Sequence, residues 1–178
     1  QQSQNLAVLD HHDAAVILGN AVGGNAMGTY GYAGVGVYAE NGTVVIGGDT
    51  TVGLGTGSTE MILAADTKLS NEGTVAADIT SKAGSTVTNL DSITGNVSLE
   101  EGAVLNNNTG SSITGNVTAK GKVTNYGTIT GTITSTAELV NNGTIAGTLN
   151  AEGSVSGTGA FGDTILASTA SLHVGNSP

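Results

Sequence analysis

One short sentence recurs along this chain, and it constrains the fold more than any other feature. V-T-N-Y-G-T-I-T-G-T-I begins at Val123, and L-V-N-N-G-T-I-A-G-T-L begins sixteen residues later at Leu139. Aligned apolar positions extend the pattern in both directions. The leading position is Leu69, Val87, Val104, Val123, Leu139, Val155 and Leu172, at intervals of 18, 17, 19, 16, 16 and 17 residues. Each leader is followed by a pair four residues apart: Val75/Ile79, Ile93/Val97, Ile113/Val117, Ile129/Ile133, Ile145/Leu149 and Phe161/Ile165. The gap from leader to pair is six residues, except from Val104 to Ile113, where it is nine and three extra residues fall in N-N-N-T-G. The expected unit has steps of six, four and six, with small insertions at corners.

Within the unit, T-I-T-G-T-I-T-S alternates apolar and polar residues and is rich in Thr and Ile, the pattern of β-strands rather than helices. Three short strands per sixteen residues, punctuated by Gly and Asn, describe one coil of a parallel β-solenoid. One coil cannot bury its inward residues alone. Stacked about 4.8 Å apart, coils pair their backbones and align Ile on Ile and Val on Val. The fold expected is therefore all-β, a single three-sided parallel β-solenoid of about ten coils, some 50 Å long. Unequal coil lengths with corner insertions favour the right-handed β-helix.

Two further columns follow from this register. Asn71, Asn89, Asn106, Asn125 and Asn141 each lie two residues past the leading position, so alternation points them inward. A lone buried amide is costly. Stacked amides can bond to the coils above and below, so an Asn ladder is expected. Ala77, Gly95, Gly115, Gly131 and Gly147 lie midway between the paired apolar residues, where a minimal side chain lets the backbone turn a narrow corner.

Residues 15–67 repeat less regularly. V-G-V-Y-A (35–39), T-V-V-I-G-G (43–48), T-V-G-L-G (51–55) and M-I-L-A-A (61–65) read as strands of looser coils continuous with the regular stack of 68–178. Residues 1–14 carry no repeat and are expected to form a cap or partly mobile end, within one continuous domain.

Composition agrees with a thin aliphatic core: 29 Gly, one Phe, no Trp and no Cys among 178 residues. Net charge is −10, with four Lys and no Arg, which argues against nucleic-acid binding and against a polybasic membrane anchor. No apolar run is long enough for a transmembrane helix, so direct membrane insertion of this segment is not expected. The chain starts at Gln1 without Met or leader, so a signal peptide is expected to have been removed.

Units reading N-x-G-T-I-x-G-x-[ILV] resemble the passenger regions of autotransporters, the type V secreted proteins of Gram-negative bacteria. G-V-G-V-Y-A-E-N-G-T-V-V-I-G-G (34–48) is similar to the recurrent coils of large adhesin-like passengers. S-V-S-G-T-G-A-F-G (154–162) with A-S-L-H-V-G-N-S-P (170–178) is similar to a passenger motif, with Val174 where Pro is usual. The resemblance covers residues 30–178. It implies an extracellular segment on the bacterial cell surface, in a family rich in adhesins and virulence-associated proteins, whose parent chain carries a C-terminal outer-membrane β-barrel. Candidate partners are a host-cell or bacterial surface protein or glycan.

Little in the sequence reads as chemistry. Asp10, His11, His12 and Asp13 make the sharpest polar cluster, but adjacent residues on an extended chain point to opposite sides, so His11 and His12 are weak metal candidates. The acidic residues of the regular coils, including Asp78, Glu100, Glu138 and Asp163, form no positioned pair for acid–base catalysis. No enzyme and no cofactor are expected. Thr128 and Thr130 are the full T-x-T among Ser92/Thr94, Ser112/Thr114 and their neighbours, a loose version of an ice-binding array. Asn96/Ser98, Asn116/Thr118 and Thr132/Thr134 decorate the next strand. Tyr30, Tyr32 and Tyr38 are the clustered aromatics, hence candidate partner contacts, with core or cap roles as the plainer reading. The function expected is a non-enzymatic passenger segment of an adhesin. The alternatives are a purely structural stalk and folding scaffold and, less favoured, an ice-binding solenoid or a carbohydrate-active β-helix enzyme.

Overall fold

Alternating side chains on strands of two to six residues leave no strand more than three inward positions, too few to make a core except by repetition. A computed structural model describes residues 7–10, 15–18, 21–22, 35–40, 42–48, 51–53 and 60–175. Every element in it is a β-strand. The strands form three parallel sheets of nine, nine and eight members, here sheets A, B and C, and the chain visits them cyclically. The parallel β-solenoid is thus present, with nine strands at most per face rather than the ten coils expected. Nine strands at about 4.8 Å span about 38 Å.

Residues outside the regular repeat join the same stack. Val35–Glu40, Gly42–Ile46 and Thr51–Gly53 pair with Glu60–Leu63, Thr67–Asn71 and Thr74–Ala76. Within the expected N-terminal cap, Ala7–Asp10 is itself a strand paired with Val35–Glu40, so this part of 1–14 belongs to the ladder. Its neighbours 1–6 and 11–14 lie outside the described residues.

The repeat is governed by parity. In the shortest coils the inward positions are Leu139, Asn141, Ile145, Leu149, Ala151 and then Val155, all buried, at steps of two, four, four, two and four residues. Earlier coils lengthen by two residues at one corner: Ser81 to Val87 and Leu99 to Leu105 are six apart, where Ala119 to Val123 is four. Two-residue insertions leave the inward set inward, whereas one residue would flip every later side chain.

This rule corrects two expected positions. Leu105, not Val104, stands opposite Val87, and Asn107, not Asn106, stands opposite Asn89. The insertion in N-N-N-T-G is accordingly two residues rather than three, because the leading position is one residue later than expected. At the last coil the opposite happens. Phe161 to Thr164 is a three-residue step, so Thr164 meets Leu149 and Ile165 faces outward opposite Asn150, 60% exposed. Phe161 stays partly buried against the core.

The amide ladder runs through Asn71, Asn89, Asn107, Asn125 and Asn141, all fully buried. Each Nδ2 donates to the Oδ1 of the next coil: Asn71 to Asn89 at 2.9 Å, Asn89 to Asn107 at 2.8 Å, Asn107 to Asn125 at 2.9 Å and Asn125 to Asn141 at 2.9 Å. The second Nδ2 proton reaches a carbonyl of the next coil, as from Asn71 to Ser92 at 2.9 Å and Asn89 to Ser112 at 3.0 Å. Oδ1 also accepts the N–H two residues on, Gly73 for Asn71 and Gly143 for Asn141, which explains the N-x-G wording. In the coil with the insertion that N–H is displaced, and the Ser111 hydroxyl donates to Asn107 instead at 2.7 Å. The ladder starts above Ile46 and stops where Gly157 follows Asn141 by sixteen residues.

The glycine column is explained by close approach rather than by bending. A methyl on Gly115 would strike the carbonyl of Gly95, and one on Gly131 the carbonyl of Gly115, far inside the 3.0 Å that Cβ atoms respect. Left-handed residues lie elsewhere, among them Asp66, Gly84 and Gly102 on the corner leading from sheet A to sheet B and Gly110 in the N-N-N-T-G corner.

Candidate functional site

The outer face of sheet A carries a cleft of about 380 Å³ lined by Glu60, Asp78, Thr80, Asn96, Asn116 and Thr118, with Ser98 and Ile79 completing its wall. Burial of Met61, Ile79, Val97 and Val117 turns the residues on either side of them outward, so the cleft is the reverse of the core. Backbone pairing sets them in rows. Glu60 is opposite Asp78, Thr80 is opposite Ile62 and Ser98, and Ser98 is opposite Thr118. The hydroxyl row continues through Thr134 to Asn150.

A second row is pinned by the main chain. Asp78 Oδ1 accepts the N–H of Asn96 at 2.8 Å, Asn96 Oδ1 that of Asn116 at 2.8 Å, and Asn116 Oδ1 that of Thr132 at 2.9 Å. An amide whose oxygen is held this way has its nitrogen turned away from the stack, toward solvent. Glu60 accepts the hydroxyl of Thr80. The cleft therefore offers fixed amide donors, hydroxyls and, at one end, two carboxylates, with no cationic residue in its lining.

Asn96/Ser98 and Asn116/Thr118 are legible as outward pairs from alternation alone. The pairing of Glu60 with Asp78 is not, because Glu60 lies in the irregular part, whose register only strand pairing reveals. A signal was available: Glu60 directly precedes M-I-L, as Asp78 directly precedes I-T-S.

The other candidates are placed as follows. Thr128 is half-buried on sheet C between Ser112 and Thr144. Thr130 is exposed, but its hydroxyl faces the carbonyl of Thr114 at 3.5 Å, as Thr114 faces that of Thr94 at 3.4 Å. These hydroxyls are directed along the stack. Tyr126 is 50% exposed on the corner from sheet B to sheet C, away from the cleft. Tyr38 lies in the strand Val35–Glu40 opposite Ile62. His11, His12, Tyr30 and Tyr32 lie outside the described residues. Among the described residues no three His, Asp or Glu groups are placed to hold a metal ion. Two cross-coil ion pairs, Lys82–Glu100 at 3.0 Å and Lys122–Glu138 at 3.5 Å, are half-exposed.

Compared with family models, curated proteins and solved structures, the chain matches none.

Proposed function

We propose that the chain is a non-enzymatic segment of an autotransporter adhesin, a solenoid rod that displays a binding face from the bacterial surface for cell adhesion. The observation that carries this reading is the pinned polar row on sheet A, set on an amide ladder that runs from Asn71 to Asn141 and a buried core that continues to Val155. A rod of this construction holds outward groups at fixed spacing without ordering a loop, which lowers the entropy cost of binding. Asp78, anchored by the N–H of Asn96, and Glu60, anchored by the hydroxyl of Thr80, each keep a second oxygen for an incoming partner and so act as fixed acceptors of this face.

A second reading, a stalk without ligand, is favoured by sheet C, where the Thr94, Thr114 and Thr130 hydroxyls bond within the stack. The test compares the purified chain with the intact passenger in a cell-adhesion assay. The binding reading expects the chain to adhere and to compete with the passenger. If it does neither, the stalk reading stands and the adhesive determinant lies elsewhere in the parent protein.

A further inference from the structure

We infer that the sheet A cleft binds a linear oligosaccharide bearing an amino group, laid along the solenoid axis with its ammonium at Glu60 and Asp78. The inference rests on the display reading above and supplies its ligand class. The cleft volume, about 380 Å³, is at the lower end of the range of small-ligand sites, about 300–1,000 Å³. Its floor is a sheet whose backbone groups are already paired with neighbouring coils, so an added peptide strand finds no edge there. Recognition has to come from side chains.

Those side chains match sugar hydroxyls. Asn96 and Asn116 directly precede adjacent strands, about 4.8 Å apart, so successive units of a glycan laid along the stack meet successive amides. Two residues along each strand lie Ser98 and Thr118, able both to donate and to accept. The Thr80 hydroxyl donates its hydrogen bond to Glu60 and presents its oxygen as an acceptor. Because Asp78, Asn96 and Asn116 are already anchored to main-chain N–H groups, binding orders little.

Charge selects among glycans. Glu60 and Asp78 are acceptors only, and the lining holds no cation to offset them. An ammonium gains both hydrogen bonds and Coulomb attraction at that end, whereas sulfated or uronate sugars are repelled.

The test titrates the 178-residue chain, followed by NMR or calorimetry, with a glucosamine tetramer, an N-acetylglucosamine tetramer and a heparin tetrasaccharide. The glucosamine tetramer is expected to bind about tenfold more tightly than the neutral one, a difference of roughly one charge-assisted hydrogen bond, and heparin not at all. Asp78→Asn keeps the acceptor for Asn96 and is expected to erase the preference for the amino sugar. The double variant Asn96→Asp/Asn116→Asp keeps both anchoring oxygens, removes both donors, and is expected to weaken the neutral tetramer about tenfold. Unchanged melting temperatures establish that each variant is folded. Absence of binding, equal affinity for all three sugars, or indifference to both variants overturns the inference. Cell adhesion that persists with the cleft saturated by glucosamine tetramer overturns the cleft as the adhesive site while leaving the adhesive reading intact. Adhesion absent from the outset, with the sugar still bound, overturns that reading alone.

Discussion

Asn89 donates a side-chain N–H to the side-chain oxygen of Asn107 at 2.8 Å, and both residues are fully buried. The contact fastens two coils through their interior and fixes which residue of N-N-N-T-G faces inward. Asn107→Ala removes the acceptor for Asn89 and Ser111 and the donor to Asn125, leaving buried polar atoms unpaired. A loss of about 2–4 kcal/mol is expected by urea denaturation. Asn106→Ala, on the outward side, is expected to stay within about 0.5 kcal/mol. Equal costs would show the register to be wrong.

Close stacking makes a sharper demand at the glycine column. In Gly131→Ala the new methyl meets the Gly115 carbonyl, which cannot move without opening the coil interface. Destabilisation above about 2 kcal/mol is expected. Gly110→Ala adds a methyl with nothing within 4 Å and bears only the strain of φ +82, about 1 kcal/mol. Denaturation midpoints of the two variants separate the effects, and a Gly131→Ala protein as stable as Gly110→Ala would refute close approach as the reason for the column.

Core position, rather than residue type, sets the cost of truncation. Ile129 is fully buried between Ile113 and Ile145, and Ile129→Ala is expected to cost about 3 kcal/mol. Leu172 occupies the column of Val155, yet is 43% exposed in the last described coil. Leu172→Ala is expected to cost under about 1 kcal/mol. Thermal melts read both, and a large loss at Leu172 would mean that this coil is covered in solution.

The Lys82–Glu100 pair spans two coils at 3.0 Å, with side chains 42% and 46% exposed. Solvent screening limits its coupling to about 0.5 kcal/mol. A double-mutant cycle with Lys82→Ala and Glu100→Gln is expected to show that small coupling at low salt and almost none at 1 M salt. A larger, salt-insensitive coupling would give the corner a structural role that its exposure does not suggest.

Much of this structure was legible beforehand. Spacing places Leu69, Val87, Val123, Leu139 and Val155 in one inward column, and all five are buried and paired in register. Four of the five ladder asparagines follow from spacing alone. The misses, Val104, Asn106 and Ile165, all lie beside corners of altered length. A corner is polar and irregular, so sequence alone does not show where its extra residues are inserted. Of the cleft, the pairs Asn96/Ser98 and Asn116/Thr118 were visible as outward, but the carboxylate pair was not.

What the sequence by itself determined is the solenoid: alternation at a sixteen-residue period leaves small aliphatic faces that only stacking can bury, and its asparagines recur where a stacked amide satisfies itself. What only the tertiary structure decided is the register at each corner and, through it, which distant residues share an outer face. Glu60 and Asp78 are eighteen residues apart and belong to segments of different regularity, yet lie on adjacent strands. Their meeting depends on the length of every corner between them. That length is set by main-chain pairing across the stack, where insertion of two residues preserves the faces and insertion of one would exchange them.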